Sequence, residues 1–342
     1  MSEELHNVPV VTIGQVADLI SSAYLTDAVC QTVVSLEGEP GLGKTAVVSQ
    51  VAENLGIGFA SESAPLLDPA TSGGMPVPDV EALILKWATD ARWPRVDTHG
   101  ERGILLIDEL PQALPMVQAA LSGLIWGRTL GSYTLPDGWM IVVTGNLKSN
   151  RAATHSVPQH IKGRLERYHV TPSLASTKAY WKAKSLSQVV LAYLSQHPDN
   201  LSTFDANAEL YGSGRGWEKV SAIFDTVEDP TLRKVRIQAT VGVALGEHFE
   251  QFVNSLENLP KYGAIVRDPT RCKIVEDQGD AFALLAGLAS QGKAEDVVAL
   301  VAYVQRYTPE LQATFVQYAE EKNRALFRTT EVTKLKLEVL GE

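Results

Sequence analysis

Gly38-Glu39-Pro40-Gly41-Leu42-Gly43-Lys44-Thr45 is the stretch on which the reading of this chain turns. It has the form G-x-x-x-x-G-K-[ST]. Glycines at these places let backbone N–H groups close around phosphate oxygens, and a helix that starts at the lysine aims its positive end at the same point. Lys44 would reach the β and γ phosphates, and Thr45 would ligate magnesium. The flanks agree. Residues 32–36 read as a buried strand, and Val47, Val48, Val51 and Leu55 then recur at helical spacing until Gly56 stops them. The expectation is a phosphate-binding loop for ATP with Mg2+, formed by residues 38–45, including Glu39, Pro40 and Leu42 by position.

Working outward, residues 104–107 (Ile-Leu-Leu-Ile) form a second strongly apolar run, and it delivers Asp108 and Glu109 at its end. Ligands in open α/β sheets bind at the C-terminal ends of strands. Asp108 would hold the magnesium, directly or through water. Glu109 would polarise an attacking water. Residues 140–143 are a third buried run, followed by Thr144-Gly145-Asn146; Asn146 is either a turn residue or a group that orients the same water. Arg151, Arg164 and Arg167 follow, and Arg215 stands before a helix in 212–217. Each is a surface cation or an arginine that meets phosphoryl charge in the transition state.

Strands alternate with helices as far as residue 172; helices are read at 45–55 and 115–126, a β-hairpin at 128–135 and a last strand at 168–170. From residue 173 the pattern is helix after helix, at 186–194, 217–224, 232–256, 281–288, 297–304 and 311–319. The fold class is therefore α/β, a parallel sheet sandwiched by helices, followed by an all-helical lid and a C-terminal helical region. The expected boundaries are 1–172, 173–260 and 261–342.

With a formal net charge of −10 in 342 residues and no basic run of five, the chain lacks the clustered basic footprint of a duplex binder. Cys30 and Cys272 are far apart and form no CxxC, which suggests two buried thiols rather than a disulfide or zinc. There is no H-E-x-x-H and no G-x-S-x-G, so neither a metallohydrolase nor a serine hydrolase is indicated. An acidic start without an apolar core, and no run of about 18 apolar residues, point to a cytoplasmic protein with no membrane span.

In their order, residues 38–45, 104–109, 144–146, Arg164 and Arg215 resemble an AAA+ ATPase, and within that group the MoxR-like branch. The resemblance extends from about Val11 through the helical region. It implies that Asn146 is sensor 1 and that Arg164, in 157–165, is an arginine finger acting on the neighbouring subunit. The family's Asn-Arg-Phe is here Gly163-Arg164-Leu165, which leaves Arg167 as a competitor. Residues 213–218, Ser-Gly-Arg-Gly-Trp-Glu, resemble the branch's Ser-Pro-Arg-x-Trp-Glu at sensor 2, with Gly214 for proline and Arg215 as the lid arginine. Residues 67–76 look like the helix-2 insert and 128–135 like the hairpin before sensor 1, elements that line the pore or touch a client in relatives. The resemblance implies a homo-oligomeric ring, a hexamer, that remodels or matures a protein client, with a partner bearing a von Willebrand factor A domain in some relatives.

Three other readings predict different behaviour. A DNA-acting AAA+ motor or loader would be stimulated by nucleic acid, against which the acidic charge counts. A nucleotide-gated adaptor would bind ATP without turnover; such proteins often lose the carboxylate that Glu109 supplies here. A GTPase-like switch would need an Asn-Lys-x-Asp loop, to which Asn146-Leu147-Lys148 is only a near miss.

Overall fold

The computed structural model describes residues 8–27, 31–146, 155, 157–183, 186–257 and 259–341. Its strands are β1 (Val10–Thr12), β2 (Val33–Gly38), β3 (Gly58–Ser63), β4 (Met75–Asp79), β5 (Ile84–Ala88), β6 (Arg102–Asp108), β7 (Thr129–Leu130), β8 (Tyr133–Thr134), β9 (Gly138–Gly145) and β10 (Leu165–Thr171). Six of them form one parallel sheet in the order β1-β10-β2-β9-β6-β3.

Side chains alternate across a strand, and the apolar run of β6 divides accordingly. Ile104 and Leu106 pack with Ile20, Val48 and Val142 on one face; Leu105 and Ile107 pack with Val117, Leu121 and Ile141 on the other. A parallel strand covered on both faces has no polar side to present, which is why 104–107 reads as continuous rather than alternating. Helices Ile13–Thr26 and Lys44–Leu55 cover the first face, and helix Pro115–Gly127 covers the second. Because β2, β9 and β6 are neighbours in register, the segments leaving their C-terminal ends emerge side by side.

The described residues fall into two compact units: those up to 187 together with 197–242, and 188–196 together with those from 243 onward. The first holds the sheet. The second is all helical, with helices Gln278–Gln291, Val297–Val304, Pro309–Lys322 and Thr330–Leu340 packed around Leu285, Leu300, Phe315 and Val332. The single helix expected over 232–256 is two helices, Pro230–Val241 and Val243–Glu257. They break at Gly242, whose φ of 95° no L side chain adopts readily.

Three sheet-side elements are additional to those expected: β1, β3 and helix Ile13–Thr26, whose start carries a Thr12–Gln15 capping box. The insert-like stretch at 67–76 runs on into an antiparallel ribbon, β4–β5. Val77, Leu85 and Trp87 on it are about half exposed or more. Pro76 pairs with Trp87 and Pro78 with Leu85. Prolines have no N–H to give the ladder, so both occupy positions that face outward from β4. The hairpin expected at 128–135 is β7–β8. Cys272 is a half-buried free thiol, and Cys30 lies outside the described residues. Among the described residues no helix is long and apolar enough to cross a membrane.

Candidate nucleotide site

The loop between β2 and helix Lys44–Leu55 turns through Gly41 and Gly43, with φ of 81° and 87°. Gly41 is required twice over, because a Cβ there would also lie 2.9 Å from Ser213 Cβ. Lys44 is buried, 8% exposed, and its Nζ donates to the carbonyls of Gly38 (3.0 Å) and Glu39 (2.8 Å). Burial pushes its ammonium down to about 8; Asp108, Glu109 and Glu39 pull it back up, and Arg215 adds to the depression. A lysine whose pKa is lowered by burial in a glycine cradle is a site where a bound anion would restore its full charge.

Thr45 Oγ1 donates to Asp108 Oδ2 at 2.8 Å. Hydroxyl and carboxylate therefore stand together as hard oxygen donors, which fits a magnesium ion that takes its other ligands from phosphate and water. Among the described residues no group of three or more His, Cys, Asp or Glu could hold a metal ion.

Glu109 leaves β6 in the left-handed region, φ 59° and ψ 36°, a conformation that costs a non-glycine residue roughly 1–3 kcal/mol. Its N–H donates to Thr144 Oγ1 at 3.1 Å, and the same hydroxyl donates to Asp108 Oδ1. Thr144 thus joins the two carboxylate residues through one buried side chain. The sequence pointed to Asn146 at this place and passed over Thr144. The available signal was a hydroxyl at the end of a wholly buried run, which must find a partner.

A cavity of about 850 Å³ brings together Lys44, Thr45, Asp108, Glu109, Asn146 and Arg215 among its lining residues. Arg215 sits in the first turn of helix Gly214–Thr226, whose N-cap Ser213 accepts from Gly216 N. Arg164 is not among those residues. It is exposed, with its guanidinium 4.8 Å above the ring of Trp126. Arg167 makes a two-pronged ion pair with Glu37 on the adjacent strand β2, at 2.8 and 2.9 Å. Arg151, Leu147 and Lys148 lie outside the described residues.

The cavity also reaches Ile13 and Ala17 on helix Ile13–Thr26 and Tyr180 on helix Leu174–Ala183. Two helices from distant parts of the chain contribute these residues, and no nucleotide-binding motif marks either of them.

Residues 34–123 match the model of the ATPase family associated with various cellular activities (AAA). The AAA match spans the glycine loop, Asp108 and Glu109, and ends before Asn146, Arg164 and Arg215. No curated protein matches the chain. Among solved structures, NtrX from Brucella abortus is 13% identical, with 95% of this chain and 68% of that one covered at a TM-score of 0.39. NtrX in complex with ADP is likewise 13% identical, over 96% and 69%, at 0.38. A mutant RuvB from Thermotoga maritima is 16% identical, over 75% of each chain, at 0.38. TM-scores below 0.5 mark partial likenesses only.

Proposed function

We propose that this chain is an AAA+ ATPase that binds and hydrolyses ATP with Mg2+ at subunit interfaces of a cytoplasmic ring. The observation that carries this reading is the convergence of Lys44, Thr45, Asp108, Glu109, Asn146 and Arg215 on one cavity. Residues 38–45 wrap the phosphates, and Lys44 leaves the Gly38 and Glu39 carbonyls to meet them. Thr45 and Asp108 hold the magnesium, which supplies charge stabilisation on the phosphate oxygens. Glu109 takes the proton of the attacking water while Asn146 orients it. Arg215 reaches the phosphates from its own chain. The base occupies the apolar end near Ile13, Ala17 and Tyr180.

Arg164 acts on the neighbour's phosphates. Two features support it over Arg167: Arg164 is exposed on the surface, and Arg167 is already paired with Glu37. A finger supplied by another subunit makes turnover depend on assembly into a ring, and the hexamer of the family it resembles is the ring this reading favours. Its work is MoxR-like, the remodelling or maturation of a protein client, with β4–β5 and β7–β8 as the moving elements. A partner bearing a von Willebrand factor A domain fits the same reading.

The test is steady-state ATPase rate against protein concentration. Specific activity rises with concentration, Glu109→Gln and Arg164→Ala are each inactive, and their mixture regains activity. Flat specific activity with a normal Arg164→Ala would end the shared-site reading.

A further inference from the structure

The glycine loop carries a charged side chain that phosphate binding does not call for. Glu39 places a carboxylate close enough to Lys44 to stabilise its charge. Its Oε2 accepts a hydrogen bond from Ser202 Oγ at 2.7 Å. Ser202 follows the short turn Pro198–Leu201 and begins the stretch that leads to Arg215. That stretch is braced on itself. Gly212 N donates to Thr203 Oγ1 at 2.7 Å, Thr203 N donates to Gly212 O at 3.0 Å, and Trp217 Nε1 donates to Asn200 O at 2.8 Å. It meets the glycine loop a second time where Ser213 packs on Gly41.

Two positive groups lie close to Arg215. It stands at the positive end of its own helix, and it repels the buried ammonium of Lys44. Its segment is nevertheless anchored to the glycine loop, through Glu39 and through Gly41.

We propose that Glu39 and Ser202 are positioning residues: their hydrogen bond pins residues 202–215 to the glycine loop, so that Arg215 stands over the phosphate site before nucleotide arrives. This rests on the ATP-binding reading of the cavity. A charge-assisted bond from a short serine side chain is directional. The bracing between residues 203 and 212 passes that fixed point on to Ser213, and so to Arg215.

The test measures binding of ATPγS with Mg2+ to the full chain by calorimetry. Ser202→Ala weakens ATPγS by about three- to tenfold, the loss of one partly exposed hydrogen bond. In an Arg215→Ala background the same change moves affinity less than about twofold, because coupled residues do not add. Ser202→Thr, which keeps the hydroxyl, restores binding, and Glu39→Ala makes Ser202→Ala silent. Equal losses in both Arg215 backgrounds, or full affinity in Ser202→Ala, would overturn the proposal. ATPγS binding that is absent from the wild type, or unchanged in Lys44→Ala, would instead refute the underlying nucleotide reading.

Discussion

Thr144 Oγ1 accepts the Glu109 N–H at 3.1 Å while donating to Asp108, so a residue of β9 sets the backbone of the residue that leaves β6. Thr144→Val keeps the β-branched shape and removes the hydroxyl. The Glu109 N–H and one Asp108 oxygen then lose their partner, and stability falls by about 1–3 kcal/mol in urea unfolding. ATP turnover falls with it, since Glu109 is no longer held in place. An unchanged midpoint would show that water replaces the hydroxyl.

Glu109 combines a strained backbone with the proposed base. Glu109→Gln keeps nucleotide affinity within about twofold and lowers turnover about 10²–10⁴-fold, the usual span for a general base. Glu109→Gly is equally inactive yet more stable by up to ~1 kcal/mol, because glycine accepts φ 59° without penalty. A Glu109→Gly protein that melts below the wild type would remove strain as the explanation.

Lys44 makes binding depend on protons. Its pKa of about 8 lies below the ordinary lysine value, so between those two pH values the unfolded chain binds more protons than the folded one. In the free protein, stability from this group therefore rises with pH across that window and has reached its maximum above it. Phosphates would restore the full charge. At pH 8 the binding of ATP then takes up about half a proton through Lys44, falling to about a tenth at pH 7. Calorimetry in buffers of different ionisation enthalpy reads this directly. An uptake that does not grow between pH 7 and pH 8 would contradict it.

The two neighbouring arginines separate by readout. Arg167→Ala breaks a two-pronged pair of half-buried groups, and stability drops by about 1–3 kcal/mol. Arg164→Ala loses an exposed stack on Trp126, worth about 0.5–1 kcal/mol, and abolishes turnover at unchanged ATP affinity. If Arg167→Ala kept its stability and lost turnover, the two roles would be exchanged.

The parallel sheet and its central loop were readable because β2, β6 and β9 are buried on both faces and so appear as unbroken apolar runs. Gly38, Lys44, Asp108 and Glu109 stood out as candidates because such residues are tied to fixed offsets from those runs. Helix Ile13–Thr26 carries a capping box, Thr12–Gln15, but no phosphate-binding motif, and its part in the cavity, through Ile13 and Ala17, depends on chain reversal that local pattern does not encode. The break at Gly242 was missed for a related reason. Apolar periodicity runs across it, and a lone glycine inside a helical pattern is often tolerated. Thr144 was hidden by its neighbour Asn146, which looked more polar and more exposed.

The prolines of β4 have an effect on concentrated protein. At Pro76 and Pro78 the outer side of that strand offers acceptors and no donors, whereas the far side of β5 keeps both at Leu85 and Trp87. Two copies could join only β5 to β5, and the resulting four-stranded patch would end in proline on either side. Such an association terminates itself at a pair, so this apolar ribbon stays outside the open-ended stacking that turns exposed strands into fibrils.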